Sequence, residues 1–363
     1  MIEIGGRTVC RKFPLRRDPG AGDSEALELP ASFPRASMLT RIANLCTGRS
    51  GFAILALLAV ALSAPAAHGE LLRVGKAVPE AFSFVPLDVG MRYGLFKKYG
   101  IDIETSAYGG GGMLQQALTA DSIDIGLGSG PEMAGIVKGV PVKAVAAMAG
   151  PPLLIALMVR PDGTIKTVDD LKGRRVGVTS SNSLTAWLVG QLSLQKGWGR
   201  DGISATPLGA VPGLLAALMM MQVDGFVADI STLLRAQEAG EGKILLSFGD
   251  LVQDFHIHVI FATNKLIAAR PGAVRAFLAG WFETIGFMRA NKDKTVETAM
   301  TVLDLNRSIA ERSYDILIPM FSDDGRFNPK ALAVLSRSYV DLKYLPAQPD
   351  MSKLYTEEFL PRK

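Results

Sequence analysis

Five short stretches of this sequence set small polar residues directly behind apolar, β-branched runs: residues 81–84, 108–112, 129–132, 179–183 and 228–231. If each run is a strand and each stretch opens a helix, the five loops converge beyond the carboxyl ends of a sheet, where open α/β folds hold ligands. The expected ligand-binding residues are therefore Phe82, Ser83, Gly110, Gly111, Ser129, Gly130, Ser180, Ser181, Asn182 and Asp229. A helix N-terminus has unpaired amides and a partial positive charge, so residues 179–183 can hold an anionic group without Lys or Arg. Ser181 or Asn182 would also cap that helix. Gly109 to Gly112 either let the backbone approach a ligand closely or form a tight turn that touches nothing. Asp229 could bind an amine or cap the helix after it, and beside anion-friendly loops it would suit a zwitterion. Glu132 reads as a first-turn acid favoured by the helix dipole. Phe82, Phe84 and Trp187 could wall a pocket, although such residues more often pack in a core.

Other reactive residues point away from metals and catalysis. His256 and His258 alternate with Ile257 and Val259, which gives two imidazoles on one strand face but no third ligand at suitable spacing. A structural role is expected for both, with no metal site and no cofactor. No Ser-His-Asp set is evident, so no enzyme activity is expected. Met219, Met220 and Met221 read as flexible core filling on an apolar helix.

The elements that would position these loops alternate between strand and helix. Strands are expected over 72–78, 101–106, 123–127, 142–148, 175–178, 203–206, 225–228, 243–247 and 257–262, with helices between most of them. Residues 153–159 read as an extended connector, and Thr167 with Asp170 has capping-box spacing. Beyond residue 263 the chain reads as helices only: 271–291, 294–303, 309–321 and 330–340. A helical tail without a sheet of its own must pack on an existing one.

Arg41 and Arg49 precede an apolar run over 52–63 and a small-residue stretch over 64–69, the order of a secretory signal peptide. Cleavage is expected between residues 66 and 70. Residues 1–37 are either untranslated, with Met38 as the start, or a disordered extension. Past residue 69 the chain holds 31 Lys and Arg against 30 Asp and Glu and no cysteine, since Cys10 and Cys46 precede that point. The remaining chain is nearly neutral, which argues against nucleic-acid binding, and cysteine chemistry is excluded there. No later apolar run is long enough for a membrane span.

Pro86-Leu87, the segment 94–104 (Gly94-Leu95-Phe96 through Glu104), Asp124-Ile125-Gly126, Gly139-Val140-Pro141-Val142-Lys143 and above all 167–178, with Asp170-Leu171-Lys172-Gly173, occur in an order that resembles the periplasmic solute-binding proteins of ABC importers for sulfonates, nitrate, taurine and thiamine precursors. The resemblance covers the whole chain after the leader. It implies an α/β fold of two Rossmann-like lobes joined by a two-crossing hinge, the type II periplasmic binding protein, with the helical tail on the first lobe. The lobes are expected over 70–158 with 263–363, and over 159–262. It also implies an ABC permease in the inner membrane as partner, but it supplies no substrate; a small polar or anionic organic solute is the expected ligand, with a monomer and, from the leader, a periplasmic location expected. The alternatives are a periplasmic enzyme on the same fold, of dehydratase or pyrimidine-precursor synthase type, and a sensor subunit.

Overall fold

The computed structural model of the chain describes residues 69–362, so the expectations for the extension, the leader and most of the cleavage window lie outside the described residues. Two five-stranded sheets are present, one in each lobe. The first has the order β2-β1-β3-β10-β4, from β1 (Glu70–Lys76), β2 (Ile101–Ala107), β3 (Ile125–Ser129), β4 (Val142–Ala149) and β10 (His258–Thr263). The second has the order β7-β6-β8-β5-β9, from β5 (Ile155–Val159), β6 (Arg175–Val178), β7 (Ser204–Pro207), β8 (Gly225–Asp229) and β9 (Lys243–Ser247). In each sheet three parallel strands are followed by one antiparallel strand, β10 or β5. Strands β3, β5, β8 and β10 are buried at every residue, which explains why they read as unbroken apolar runs rather than alternating ones.

The helices begin where their capping residues allow. They are α1 (Val85–Arg92), α2 (Gly111–Thr119), α3 (Ala134–Val137), α4 (Leu184–Gln195), α5 (Val211–Met219), α6 (Ile230–Glu238), α7 (Asn264–Ala269), α8 (Pro271–Ala290), α9 (Lys292–Leu303), α10 (Arg307–Leu317) and α11 (Pro329–Asp341). Side chains of Ser183, Asp229, Thr263, Asn306 and Asn328 accept from the amides that open α4, α6, α7, α10 and α11. Thr167 and Asp170 form both bonds of the capping box read from their spacing.

The lobe boundaries differ from the sequence expectation. Residues 155–159 are not a connector closing the first lobe but a central strand of the second sheet, antiparallel to both β8 and β9. Residues 258–262, expected to close the second lobe, instead pair with β3 and β4 in the first sheet. The chain therefore crosses between lobes over 150–154 and 248–257, and each crossing delivers the antiparallel strand of the sheet it enters. A fully apolar run cannot distinguish a connector from a doubly buried strand, because both lack period-two alternation.

The two halves repeat one plan. Helix α5 lies 100 residues beyond α2 and β8 lies 100 residues beyond β3. Asp124 accepts from the amide of Arg73 at 2.9 Å, and Asp224 accepts from the amide of Arg175 at 3.0 Å, each carboxylate tying the strand that it opens to the neighbouring one. Asp121 and Met221 occupy the same left-handed turn, φ 56° and 57°. That turn leaves Met219, Met220 and Met221 more than half exposed, so they do not fill a core as expected.

The tail packs α8 and α9 on α1 of the first lobe. It also reaches the second lobe: the Trp187 indole of α4 donates to Ser338 Oγ of α11 at 2.8 Å and stacks on Phe255, and Arg235 of α6 pairs with Asp304. No helix among the described residues is long and apolar enough to cross a membrane.

Candidate functional site

The carboxyl ends of β1, β3, β6 and β8 and the amino ends of β5 and β10 meet around one cavity of about 60 Å³. Its first-lobe walls include Ala77, Val78, Glu80, Ala81, Phe84, Gly111, Ser129, Glu132 and His258. Thr179, Ser183, Leu184, Thr185, Val211 and Asp229 come from the second lobe. Such a volume holds a few water molecules, so a larger solute requires the lobes to part. In the present arrangement they touch: the Phe82 amide donates to Asp229 Oδ2 at 3.2 Å, and the Gly112 amide donates to Ser180 Oγ at 3.3 Å.

The glycine run is packed against its neighbours, closely at Gly110, Gly111 and Gly112. A Cβ on Gly109 would lie 3.5 Å from the Ala210 nitrogen, one on Gly110 3.0 Å from Thr179 Cβ, and one on Gly112 3.1 Å from Ser180 Oγ, all in the opposite lobe. Gly110 also has φ 140°, which a side chain would strain. A Cβ on Gly111 would sit 1.8 Å from Glu132 Oε1 within the first lobe. Gly111 and Gly128 thus make the slot into which the Glu132 carboxylate fits.

Glu132 is therefore more than a first-turn acid. It is 3% exposed, and its carboxylate accepts from Ser129 Oγ at 2.9 Å and from the Ser129 amide at 3.2 Å. Burial pushes its pKa up to about 7, with the Ser129 hydrogen bonds opposing. Asp229 is 5% exposed; it accepts from Phe82 and from the amide and hydroxyl of Ser231, and burial raises its pKa to about 6. Glu80, across the cleft, adds to that rise by like-charge repulsion. Desolvation also raises Glu80, whose Oε2 is buried without a hydrogen-bond partner.

The two histidines part company. His256 Nε2 accepts from the Asn328 amide at 2.8 Å, a structural role. His258 lies edge-on to Phe84 with ring centres 4.9 Å apart, lines the cavity, and has no partner for Nδ1. Burial lowers both, to about 4 and about 3, which keeps the rings neutral.

Of the ten expected ligand residues, Gly111, Ser129 and Asp229 line the cavity. Phe82 and Ser180 bind across the cleft, Phe82 through its amide while its ring lies in the core. Gly110 packs on Thr179. Ser83 and Gly130 are buried away from the cavity lining, the Gly130 carbonyl accepting from Tyr339. Ser181 and Asn182 are exposed outside the cavity, because Ser183, one turn position later, is the residue that caps α4. Sequence reading missed Glu80 and His258, and Thr179, Ser183 and Thr185 entered only as loop or helix members. A Pro-Glu-Ala loop carries no signal that one carboxylate oxygen will be enclosed.

Comparison with known proteins agrees with this architecture. The alkanesulfonate-binding protein SsuA of Xanthomonas axonopodis pv. citri, solved with MOPS, superposes with TM-score 0.69 at 17% identity, over 79% of this chain and 98% of that one. The nitrate-binding protein NrtA of Synechocystis PCC 6803 superposes with TM-score 0.66 at 15% identity, over 80% and 87%. At these identities the fold is what is shared, that of the periplasmic binding proteins. A Brucella abortus protein, provisionally named a binding protein, is 25% identical over 228 residues, covering 60% of this chain and 67% of its own length. Residues 81–295, more than half of the chain, match the NMT1/THI5-like family model, and the chain belongs to that family.

Proposed function

We propose that this protein is the solute-binding component of an ABC importer, working in the periplasm as a monomer and handing a small molecule to an inner-membrane permease. The observation that carries this reading is a cavity built by both lobes and bridged by the Phe82–Asp229 and Gly112–Ser180 hydrogen bonds. A ligand that contacts both walls favours the closed arrangement over the open one by the difference in its contacts. The alkanesulfonate- and nitrate-binding proteins of the same fold support the transport role.

The test is native mass spectrometry of protein taken from the periplasmic fraction of its source, followed by small-angle scattering after ligand removal and return. The expected result is one small molecule per chain and contraction when it is restored. Conversion of that molecule during incubation would replace the binding reading with an enzymatic one.

A further inference from the structure

Resting on the solute-binding reading above, we propose that the cleft selects a small organic cation bearing N–H donors, a protonated amine, amidine or guanidine, with its charge held between Glu80 and Glu132 of the first lobe and Asp229 of the second. The three carboxylates line the cavity from both sides, and no Lys or Arg shares that lining. Arg235, the cation whose field reaches Glu80, lies in a neighbouring groove and pairs with Asp304.

Six amides around the cavity that an anion could use are already occupied by the chain's own acceptors. Ser129 N donates to Glu132, Phe82 N and Ser231 N to Asp229, Gly112 N to Ser180 Oγ, Thr179 N to Thr185 Oγ1 and Ser180 N to Ser183 Oγ. These helix N-termini thus spend part of their donor capacity on the chain's own acceptors. A second, independent feature marks the cavity for a polar guest: His258, 5% exposed, lines it with Nδ1 unpartnered, and Glu80 Oε2, an acceptor, is likewise buried and unpartnered. Neutral imidazole offers one donor and one acceptor, and a carboxylate only accepts, so the Glu80 oxygen is the group that calls for a donor on the guest. Phe84, Ile155, Leu184 and Val211 supply apolar walls for the body of the ligand. Closing the lobes brings Glu80 toward Asp229, a like-charge approach that a cation placed between them converts into attraction.

Isothermal calorimetry with charge-differing pairs of similar shape tests this: benzamidine against benzamide, and cyclohexylamine against cyclohexanol, with methanesulfonate and nitrate as anions. At pH 8 the cation of a pair should bind about tenfold or more tightly than its neutral partner, the range of a hydrogen bond to a charged group. Glu80→Gln, which leaves both capping carboxylates intact, and Asp229→Asn should each reduce that preference severalfold. Preference for the neutral partners or the anions, or a co-purified ligand without a cationic group, overturns the cation assignment and leaves solute binding standing. Silence from every probe, with no co-purified ligand, overturns both.

Discussion

Glu132→Gln offers the sharpest check on how the cavity is built. Gln keeps the shape of the side chain and an oxygen for Ser129, but it removes the titrating group. The folded pKa of Glu132 is about 7 against an ordinary 4.5, because the carboxylate is buried beside Gly111 and Gly128. Folding therefore favours its protonated form: its contribution to stability is complete below pH 4.5 and is lost as pH rises through about 7. At roughly 1.4 kcal/mol per unit, the part of this lost between pH 5 and pH 8 is about 2–3 kcal/mol. Urea denaturation of wild type and variant at the two pH values measures it. The variant should improve relative to wild type by about 2–3 kcal/mol on going from pH 5 to pH 8. His256, His258 and Asp229 titrate in both proteins and cancel in the difference, and Tyr339 beside Glu132 stays neutral because burial raises it well above its ordinary value. A variant effect that does not change with pH would refute the claim that Glu132 is enclosed.

Other substitutions probe the scaffold. Gly111→Ala forces a Cβ to within 1.8 Å of Glu132 Oε1, whose carboxylate is clamped by Ser129, so a loss of about 1–3 kcal/mol is expected in urea; an unchanged midpoint contradicts the slot. Trp187→Phe removes the donor to Ser338 and part of a buried ring, and should cost about 1–3 kcal/mol in the same assay. Thr167→Ala breaks one exposed capping box away from the cavity, for about 0.5–1 kcal/mol, and should leave ligand affinity unchanged by calorimetry.

The order of elements was legible in the residues because it depends on local chemistry. The strands over 175–178 and 243–247 match their expected limits, and Thr167 with Asp170 forms the predicted box, since turn, cap and alternation signals act over a few positions. The strand-end loops likewise border the cavity. Three features required the folded chain. The apolar run 155–159 belongs to the second sheet and 258–262 to the first because each pairs with strands far along the chain, and its own composition is indifferent to which. The matching Asp124 and Asp224 contacts are set by strand neighbours rather than by sequence spacing. The character of the cavity was decided by the same kind of distant meeting. Glycines that could have let a ligand approach the backbone face Glu132 within their own lobe and Thr179 and Ser180 across the cleft, and an unremarked Glu80 ends opposite Asp229. Sequence sets which groups a loop carries, but burial and opposing charge arise only between loops brought together by the fold, and here they set three carboxylates along one cavity.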